Sequence, residues 1–248
     1  MKIILIGSGK LGTQLYKTII CKKDLDIIQW VVRSSKKTLT PEGIPIVQKI
    51  DKQQNADVYL LAVSDNSILK VSKELPNNAF IVHTAGSVPL DIINQKRTGV
   101  FYPLQSFSIG RDIDFSNIPI IIESKIKKDL IILKNLARGI KATFYQMNSK
   151  QRAKLHLSAI FVNNFTNHLF SEAALICKNN DIPFNLLKPL IQETIDKLQT
   201  MNPKAAQTGP AIRNDRQTIL KHLKLIKDPL LKKIYKVLTL AIQKNDVQ

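Results

Sequence analysis

The sequence predicts an α/β fold in which a parallel sheet covered by helices is followed by an all-helical domain. A strand, a glycine-rich turn, a helix and a second strand follow one another within residues 1–32. Short apolar runs then alternate with helical patterns as far as residue 146, which is typical of parallel strands buried on both faces. From Ser149 onward we find helical patterns and no convincing strand. We therefore predict two domains, residues 1–147 and residues 148–248.

A glycine-rich turn follows the first predicted strand, Ile3–Ile6, and precedes a helix predicted over about residues 13–22. Glycines at its first, third and sixth positions match the fingerprint of a dinucleotide-binding βαβ unit of the Rossmann type. They permit a tight turn, close approach of a pyrophosphate to the backbone, and packing of the helix, whose N-terminus favours an anion. A turn that only packs a helix on a sheet is the alternative. The candidate cofactor-binding residues are Gly7, Ser8, Gly9, Lys10, Leu11 and Gly12.

The residues that follow the second predicted strand, 27–32, distinguish between two dinucleotides. An acidic residue here would bind the ribose 2′-hydroxyl of NAD, whereas an arginine accommodates the 2′-phosphate of NADP. The chain has Arg33 and Ser34 at this point, and its next acidic residue is Glu42. The guanidinium of Arg33 offers paired donors to a phosphate, and Ser34 adds a hydroxyl. We therefore predict NADP as the cofactor, with a solvated basic loop as the alternative.

The later elements continue the same alternation. Strands are predicted at residues 43–47, 57–63, 79–82, 99–103, 118–123 and 143–146, and helices at residues 68–75, 89–95 and 128–137. The helical region is predicted to contain one long helix over residues 151–178 and shorter helices over residues 184–200, 215–225 and 229–243.

Polar residues follow several of these strands, at the edge of the sheet where open α/β proteins bind their ligands. They predict that Ser64, Asp65 and Ser87 contact the cofactor and that Gln105 and Ser106 contact a substrate. His83 is the titratable side chain in its loop, so we consider it a candidate proton donor or acceptor. Its alternative role is to bind backbone groups in a turn.

The helical domain contributes further candidates. On a regular helix, Asn163 lies about 20° from His156 and Asn164 about 80° from it, so all three could face one cleft. Buried hydrogen bonds between helices are the alternative explanation. Arg213 follows a sharp Gly-Pro loop and offers a bidentate site for a substrate carboxylate or phosphate, unless it pairs with Asp215, a predicted helix N-cap.

The composition limits the classes of function. The 248 residues carry a net charge of +18, but the basic residues are spread along helix faces, with no recognition helix or arginine-rich arm. The charge therefore favours an anionic substrate or cofactor over nucleic acid. We find no membrane-spanning run, no signal peptide and no metal-ligand spacing. Cys21 and Cys177 lie in apolar helical patterns, which predicts buried free thiols in a reducing cytoplasm.

Taken together, these motifs resemble a group of bacterial Rossmann-like proteins with a C-terminal domain of unknown function. This group is related to the 6-phosphogluconate dehydrogenase and pyrroline-5-carboxylate reductase families. The resemblance implies NADP binding, a helical second domain and a homodimer formed through that domain, but no substrate. The matching segments are Gly7–Gly12, Ala62–Asp65, His83–Ser87, Tyr102–Ser108, His156 with Asn164, and Thr208–Pro210 with Arg213, Asp215, Thr218, His222 and Leu223.

One departure from the wider superfamily concerns the reaction itself. Dehydrogenase relatives often have a catalytic lysine four residues before a helix asparagine, but here Ile160 precedes Asn164. Either His83 or His156 then serves as the acid or base, together with Asn164, or the protein binds NADP without turnover. The sequence therefore predicts an NADP-dependent oxidoreductase acting by hydride transfer on a small anionic substrate in the interdomain cleft. The alternative is an NADP-binding sensor or scaffold protein.

Overall fold

The computed structural model of the chain describes residues 1–50 and 54–246, which divide into two compact units, Met1–Asn164 and Phe165–Gln248. Within the described residues, eight strands of the first unit form one sheet. The strands are β1 (Lys2–Ile6), β2 (Asp26–Val31), β3 (Ile46–Val47), β4 (Val58–Leu61), β5 (Ile81–His83), β6 (Thr98–Pro103), β7 (Ile120–Ser124) and β8 (Phe144–Gln146).

The strand order is β3-β2-β1-β4-β5-β6-β7-β8, so the direction of winding reverses between β1 and β4. This reversal places the turn after β1 beside the loop after β4, which is where open α/β sheets bind ligands. The predicted α/β class is confirmed, but the sheet is not parallel throughout. β7 pairs with β6 in the antiparallel direction. The segment between them contains only the short 3₁₀ turn Phe115–Asn117, without the helix that a parallel crossover normally uses.

Helices cover both faces of the sheet. They are α1 (Lys10–Ile20), α2 (Ile68–Ser72), which continues the 3₁₀ turn Asp65–Ser67, and α3 (Asp129–Gly139). Alternate residues of β1 belong to two separate cores: Ile3 clusters with Leu15 of α1, whereas Ile4 clusters with Val71 of α2. This explains why the strand is apolar throughout Ile3–Ile6. The helix predicted over residues 89–95 is only a 3₁₀ turn, Leu90–Ile92.

The helical part begins with α4 (Ser149–Ala159), whose N-cap Asn148 forms a capping box with Gln151. A π-helical segment, Ile160–Phe165, follows directly and interrupts the long helix that the sequence predicts. The remaining helices are α5 (Thr166–Lys178), α6 (Lys188–Lys197), α7 (Pro203–Ala206), α8 (Arg216–Leu225) and α9 (Pro229–Asp246), with a 3₁₀ turn at Phe184–Leu187. The secondary structure changes at the predicted boundary near residue 148, but α4 still belongs to the first compact unit.

The two cysteines differ in their surroundings. Both are free, and Cys177 is buried, but Cys21 is exposed. The prediction that both thiols are buried is therefore wrong for Cys21, which lies at the C-cap of α1. No helix within residues 1–50 or 54–246 is both long and apolar enough to cross a membrane.

Candidate functional site

The turn after β1 has a conformation that requires glycine at two of its three glycine positions. Gly7 has a φ of +108°, and a Cβ atom there would lie 2.3 Å from the carbonyl oxygen of Ala62. A Cβ atom on Gly12 would lie 2.3 Å from the carbonyl oxygen of Gly7. The indole N–H of Trp30 in β2 donates a hydrogen bond to that same oxygen at 2.9 Å. The turn is therefore held by β2, by the end of β4 and by α1.

The third glycine faces open space. A Cβ atom on Gly9 would have no neighbouring atom within 4 Å. Gly9 is the N-cap residue of α1, which has no side-chain cap and no acidic residue in its first turn. The positive end of the helix dipole is therefore free of a competing acceptor from the cap, and an anion can approach the backbone there. Ser8 and Lys10 on either side are exposed, so both side chains can contact the same ligand.

The end of β2 presents the two predicted selectivity residues. Arg33 and Ser34 are exposed, and the Arg33 guanidinium lies 3.6 Å from a carboxylate oxygen of Glu74. The next acidic residue, Glu42, accepts a hydrogen bond from the hydroxyl of Tyr16, which lowers the pKa of Glu42. The one acidic side chain close to this strand end in sequence is thus already engaged.

The loops after β4 and β5 meet at the same edge of the sheet. Asp65 accepts a hydrogen bond from the hydroxyl of Ser87 at 2.7 Å, so two of the predicted cofactor residues lie in direct contact. Ser64 is exposed beside them, and its hydroxyl lies 2.8 Å from the hydroxyl of Ser67. Polar groups from two neighbouring strands therefore converge next to the glycine-rich turn.

His83 occupies a different environment from the one its position in the sequence suggests. Its side chain is fully buried, its Nδ1 accepts a hydrogen bond from the N–H of Ala85, and its Nε2 has no partner among the described residues. Burial and the nearby positive charge of Arg152 lower the pKa of His83 to about 3. The imidazole is therefore neutral at physiological pH and not exposed to a ligand. Its contact with Ala85 matches the alternative role, the binding of backbone groups in a turn.

This environment predicts that the protein loses stability on acidification. A histidine in an unfolded chain has a pKa near 6.5. Below that pH, His83 therefore binds a proton in the unfolded chain but not in the folded protein. The contribution of His83 to stability is complete above about pH 6.5 and is lost as the pH falls towards 3. Between pH 7.5 and pH 5, the free energy of unfolding should fall by roughly 2 kcal/mol because of this residue. Urea unfolding of the native protein and of His83→Gln at both pH values measures this. Equal losses in the two proteins would contradict the prediction.

Tyr102, which we did not predict as a site residue by itself, lies at the carboxyl end of β6. Its hydroxyl is 3.0 Å from Nδ1 of His156 in α4, and the two rings meet edge to face. Both rings pack on Gly86, where a Cβ atom would lie 2.6 Å from His156 Nδ1 and 2.7 Å from Tyr102 Cζ. The structure thus brings His156 to the same edge as Ser87 and Asp65. The motif Tyr102–Ser108 was a signal for Tyr102, but a tyrosine in an apolar strand is usually a core residue.

A buried ion pair supports this arrangement. The side chain of Arg152 in α4 is completely buried and bonds to Glu123 of β7 and to the carbonyl oxygen of Val88. Glu123 also accepts hydrogen bonds from the N–H and the hydroxyl of Ser149. The pair joins α4, the sheet and the segment that follows Gly86. The polar pattern of α4 gives no signal that Arg152 is buried.

Four further candidates form no hydrogen bond or ion pair with this cluster within the described residues. Gln105 and Ser106 are exposed in the β6–β7 loop, where the side chain of Gln105 accepts from the N–H of Ser106. Asn164 is exposed in the π-helical segment, so the angle to His156 that a regular helix would give does not apply. Arg213 of the second unit is exposed and forms no ion pair within the described residues, because Asp215 instead caps α8 through Thr218. Their roles stay predictions.

Comparison with known proteins gives the family. The family model of a domain of unknown function, DUF2520, matches residues 118–242, from two residues before β7 into α9. The chain belongs to the DUF2520 family. The resemblance inferred from the motifs is thereby confirmed. No curated protein matches this DUF2520 protein.

Within its described residues, no group of three or more His, Cys, Asp or Glu side chains is arranged to hold a metal ion.

Solved structures extend the comparison to the whole DUF2520 protein. A proposed NADP oxidoreductase from Bacteroides fragilis is 34% identical, with a TM-score of 0.84 and 98% of each chain covered. A protein from Thermotoga maritima is 19% identical, with a TM-score of 0.71 and both chains fully covered. A 1-pyrroline-5-carboxylate reductase from Streptococcus pyogenes is 14% identical, with a TM-score of 0.64, covering 100% of this chain and 99% of the other. The last two similarities show the fold alone.

Proposed function

We propose that this DUF2520 protein is an NADP-dependent oxidoreductase that moves a hydride to or from a small polar substrate. The glycine-rich turn carries the proposal. Gly7 and Gly12 have no room for a side chain, whereas Gly9 leaves the backbone at the N-terminus of α1 open to an anion. This is the arrangement that binds a pyrophosphate at a strand-order reversal. The 34% identical relative, a proposed NADP oxidoreductase, supports the same function.

The residues at the sheet edge fit the nicotinamide half of the cofactor. When bound, the nicotinamide supplies or accepts the hydride. Asp65 and Ser87, which are hydrogen-bonded to each other, offer polar groups that can orient it. Between the two candidate histidines, we assign proton exchange to the partly exposed His156 and not to the buried, neutral His83. A carbonyl substrate that gains a hydride also gains a proton, so a proton donor at this edge fits that reaction.

Arg33 supports the choice of NADP over NAD and gives the test of this proposal. Replacing Arg33 by alanine should remove a charge-assisted contact to the 2′-phosphate worth roughly 1.5–3 kcal/mol, which weakens NADPH binding by about tenfold or more. NADH binding should not change, because NADH has no phosphate at this position. Calorimetric titration of both proteins with both nucleotides measures this.

Glu74→Ala is the matched control, because it removes the carboxylate beside Arg33 and keeps the guanidinium. We expect this variant to bind NADPH at least as tightly as the native protein. Preference for NADPH that survives Arg33→Ala would contradict the assignment of Arg33. Binding of neither nucleotide would overturn the oxidoreductase proposal, and tight binding without turnover of any carbonyl or alcohol would favour a sensor.

We also propose that the protein is a homodimer through its helical part. In the second unit, among residues 165–244, only Cys177 and Ala211 are buried. Large apolar side chains are exposed along its helices, among them Leu175, Leu190, Leu220, Val237 and Leu240. A helical unit with so little core of its own needs a partner surface to be stable.

Light scattering should therefore give about twice the 28.0 kDa mass of the chain. Val237→Glu combined with Leu240→Glu should shift the protein towards the monomer or destabilise it, because both charges would be buried in the interface. A native protein that stays monomeric at micromolar concentration would contradict the proposal.

A further inference from the structure

We infer that Tyr102 is the catalytic proton donor of this site and that His156 is the positioning residue that restores its proton. The inference rests on the proposed function, because it assigns a role at the nicotinamide end of the same site. It goes further by naming the group that meets the substrate. The chemical class of substrate is then a small molecule with a carbonyl or imine group whose oxygen or nitrogen can reach a phenol hydroxyl.

The position of Tyr102 follows from the register of the sheet. His83 of β5 is aligned with Val100 of β6, so Tyr102 lies two residues further towards the carboxyl edge, beside the loop that contains Gly86. Gly86 is in turn followed by Ser87, which bonds to Asp65 at the end of β4. The ends of β4, β5 and β6 therefore place Asp65, Ser87 and the Tyr102 hydroxyl at the same edge of the sheet.

Gly86 allows the rings of Tyr102 and His156 to lie close to the backbone of the loop. A side chain at this position would occupy the space of His156 Nδ1 and Tyr102 Cζ, at 2.6 and 2.7 Å from the added carbon. The glycine has no positive φ angle, so the close approach of the two rings is the reason that no larger residue fits. The backbone of this loop thus contacts both rings directly.

The surroundings of Tyr102 shift its pKa. Burial raises the pKa of Tyr102 and the negative charge of Asp65 raises it further, whereas the positive charge of Arg152 lowers it. The hydroxyl therefore keeps its proton at physiological pH, and the phenolate that forms after donation must be reprotonated quickly. His156 Nδ1 lies 3.0 Å from that oxygen, and the histidine is partly exposed, so it can exchange protons with solvent.

For a carbonyl substrate, a bound reduced nicotinamide dinucleotide would supply the hydride that the carbonyl carbon takes. The carbonyl oxygen takes the proton of the Tyr102 hydroxyl, whose O–H bond breaks as the new alcohol O–H bond forms. The phenolate takes the proton from Nδ1 of His156 while Nε2 of the same ring takes one from solvent, so the imidazole stays neutral. Overall one hydride and one proton are added to the substrate.

The second unit contains another histidine–tyrosine pair. His222 Nδ1 lies 2.8 Å from the hydroxyl of Tyr235, between α8 and α9. This pair has a similar hydrogen bond and edge-to-face rings, but within the described residues no hydrogen bond or ring contact joins either side chain to a strand. A hydrogen bond between histidine and tyrosine is therefore not sufficient, and the Tyr102–His156 pair differs by its position at the carboxyl edge of the sheet.

The test uses the full-length protein with tyrosine labelled with carbon-13 at Cζ, which gives resonances for five tyrosines. Tyr102→Phe identifies the Tyr102 signal, and Tyr145, which is 53% exposed on β8, is the internal reference. We expect saturating NADPH to shift the Tyr102 signal and leave that of Tyr145 unchanged. His156→Asn should also shift the Tyr102 signal without nucleotide, because the hydrogen bond is lost.

Binding and turnover complete the test. Tyr102→Phe should bind NADPH within about threefold of the native affinity, since a proton donor adds little to cofactor binding. With glyoxylate as the carbonyl probe, NADPH consumption should fall at least about 100-fold in Tyr102→Phe and stay unchanged in Tyr145→Phe. If the native protein does not consume NADPH with glyoxylate, the resonance shifts decide.

The outcomes separate this inference from the proposed function. NADPH binding with an unmoved Tyr102 signal, or equal turnover by Tyr102→Phe, overturns the assignment of Tyr102 and leaves the oxidoreductase proposal standing. A large loss of NADPH affinity in a folded Tyr102→Phe variant makes Tyr102 a binding residue and also overturns it. No binding of NADPH to the native protein overturns both.

Discussion

Replacing Gly9 by alanine should remove tight nucleotide binding and leave the fold intact. The added Cβ atom meets nothing within 4 Å in the protein, so the variant has no internal clash. The backbone of Gly9 is extended, with φ at −66°, and alanine adopts this conformation without strain. The same carbon does enter the space through which a pyrophosphate would approach the N-terminus of α1. Loss of one or two charge-assisted hydrogen bonds would weaken NADPH binding by roughly 10- to 100-fold.

Gly7→Ala provides the contrast within the same turn. Alanine at a φ of +108° is strained, which costs on the order of 1–3 kcal/mol, and its Cβ atom would lie 2.3 Å from a backbone oxygen of Ala62. This variant should therefore lose stability as well as nucleotide binding. Gly9→Ala should lose less than about 1 kcal/mol, the order of an N-cap substitution.

Thermal unfolding and calorimetric titration of the two variants together make the test specific. A stable Gly9→Ala protein that binds NADPH as tightly as the native chain would mean that the turn only packs a helix on a sheet. A strongly destabilised Gly9→Ala protein would mean that the open space at this position is not present in solution.

The order of strands and helices was predictable because the first unit obeys simple patterns. Ile3–Ile6 is apolar throughout since its two faces pack in two different cores, and a strand of this kind needs no other signal. The glycines at positions 7 and 12 follow from backbone geometry, which leaves no alternative residue. Such features are local, so the sequence contains them.

The features that were not predictable depend on contacts between distant parts of the chain. Periodicity identifies β7 as a strand but not its antiparallel direction, which follows from the missing crossover helix. The π-helical segment at Ile160–Phe165 changes the relation of Asn164 to His156, and no residue pattern indicates it. His83 was recognisable as a titratable residue, but its burial and the neighbouring charge of Arg152 are properties of the folded chain.

Tyr102 could not be predicted as a site residue either, because its contacts are with distant parts of the chain. In the sequence it belongs to an apolar strand and has no polar neighbour within the strand. Its partner His156 is 54 residues further along the chain, and the glycine that both rings contact is in a third segment. The register of β5 and β6 places Tyr102 beside the loop of Gly86, and the Arg152–Glu123 pair joins α4, which contains His156, to the sheet. Residues that were predicted as site residues, such as Asp65 and Ser87, instead lie in loops directly after strands, where position alone gives a signal.

Replacing Arg152 by alanine should destabilise the first unit more than any other single side-chain truncation at this site. Arg152 is completely buried, and the side chain of its partner Glu123 is only 14% exposed. Removal of one partner leaves an uncompensated buried carboxylate, which costs roughly 3–5 kcal/mol. The carbonyl oxygen of Val88 also loses its donor. For a protein of this size, we expect the melting temperature to fall by about 6–20 °C.

Two further variants separate the effect of burial on stability from the effect of charge. Lys17→Ala breaks an ion pair with Asp112 whose side chains are 52% and 75% exposed, so it should cost less than about 1 kcal/mol. Arg152→Met combined with Glu123→Leu removes both charges, and part of the stability should return, because apolar residues of similar size replace the pair. The Arg152 guanidinium also bonds to the carbonyl oxygen of Val88, two residues after Gly86, so the double variant should not regain the full native stability. An Arg152→Ala protein as stable as Lys17→Ala would show that the buried pair does not hold α4 on the sheet.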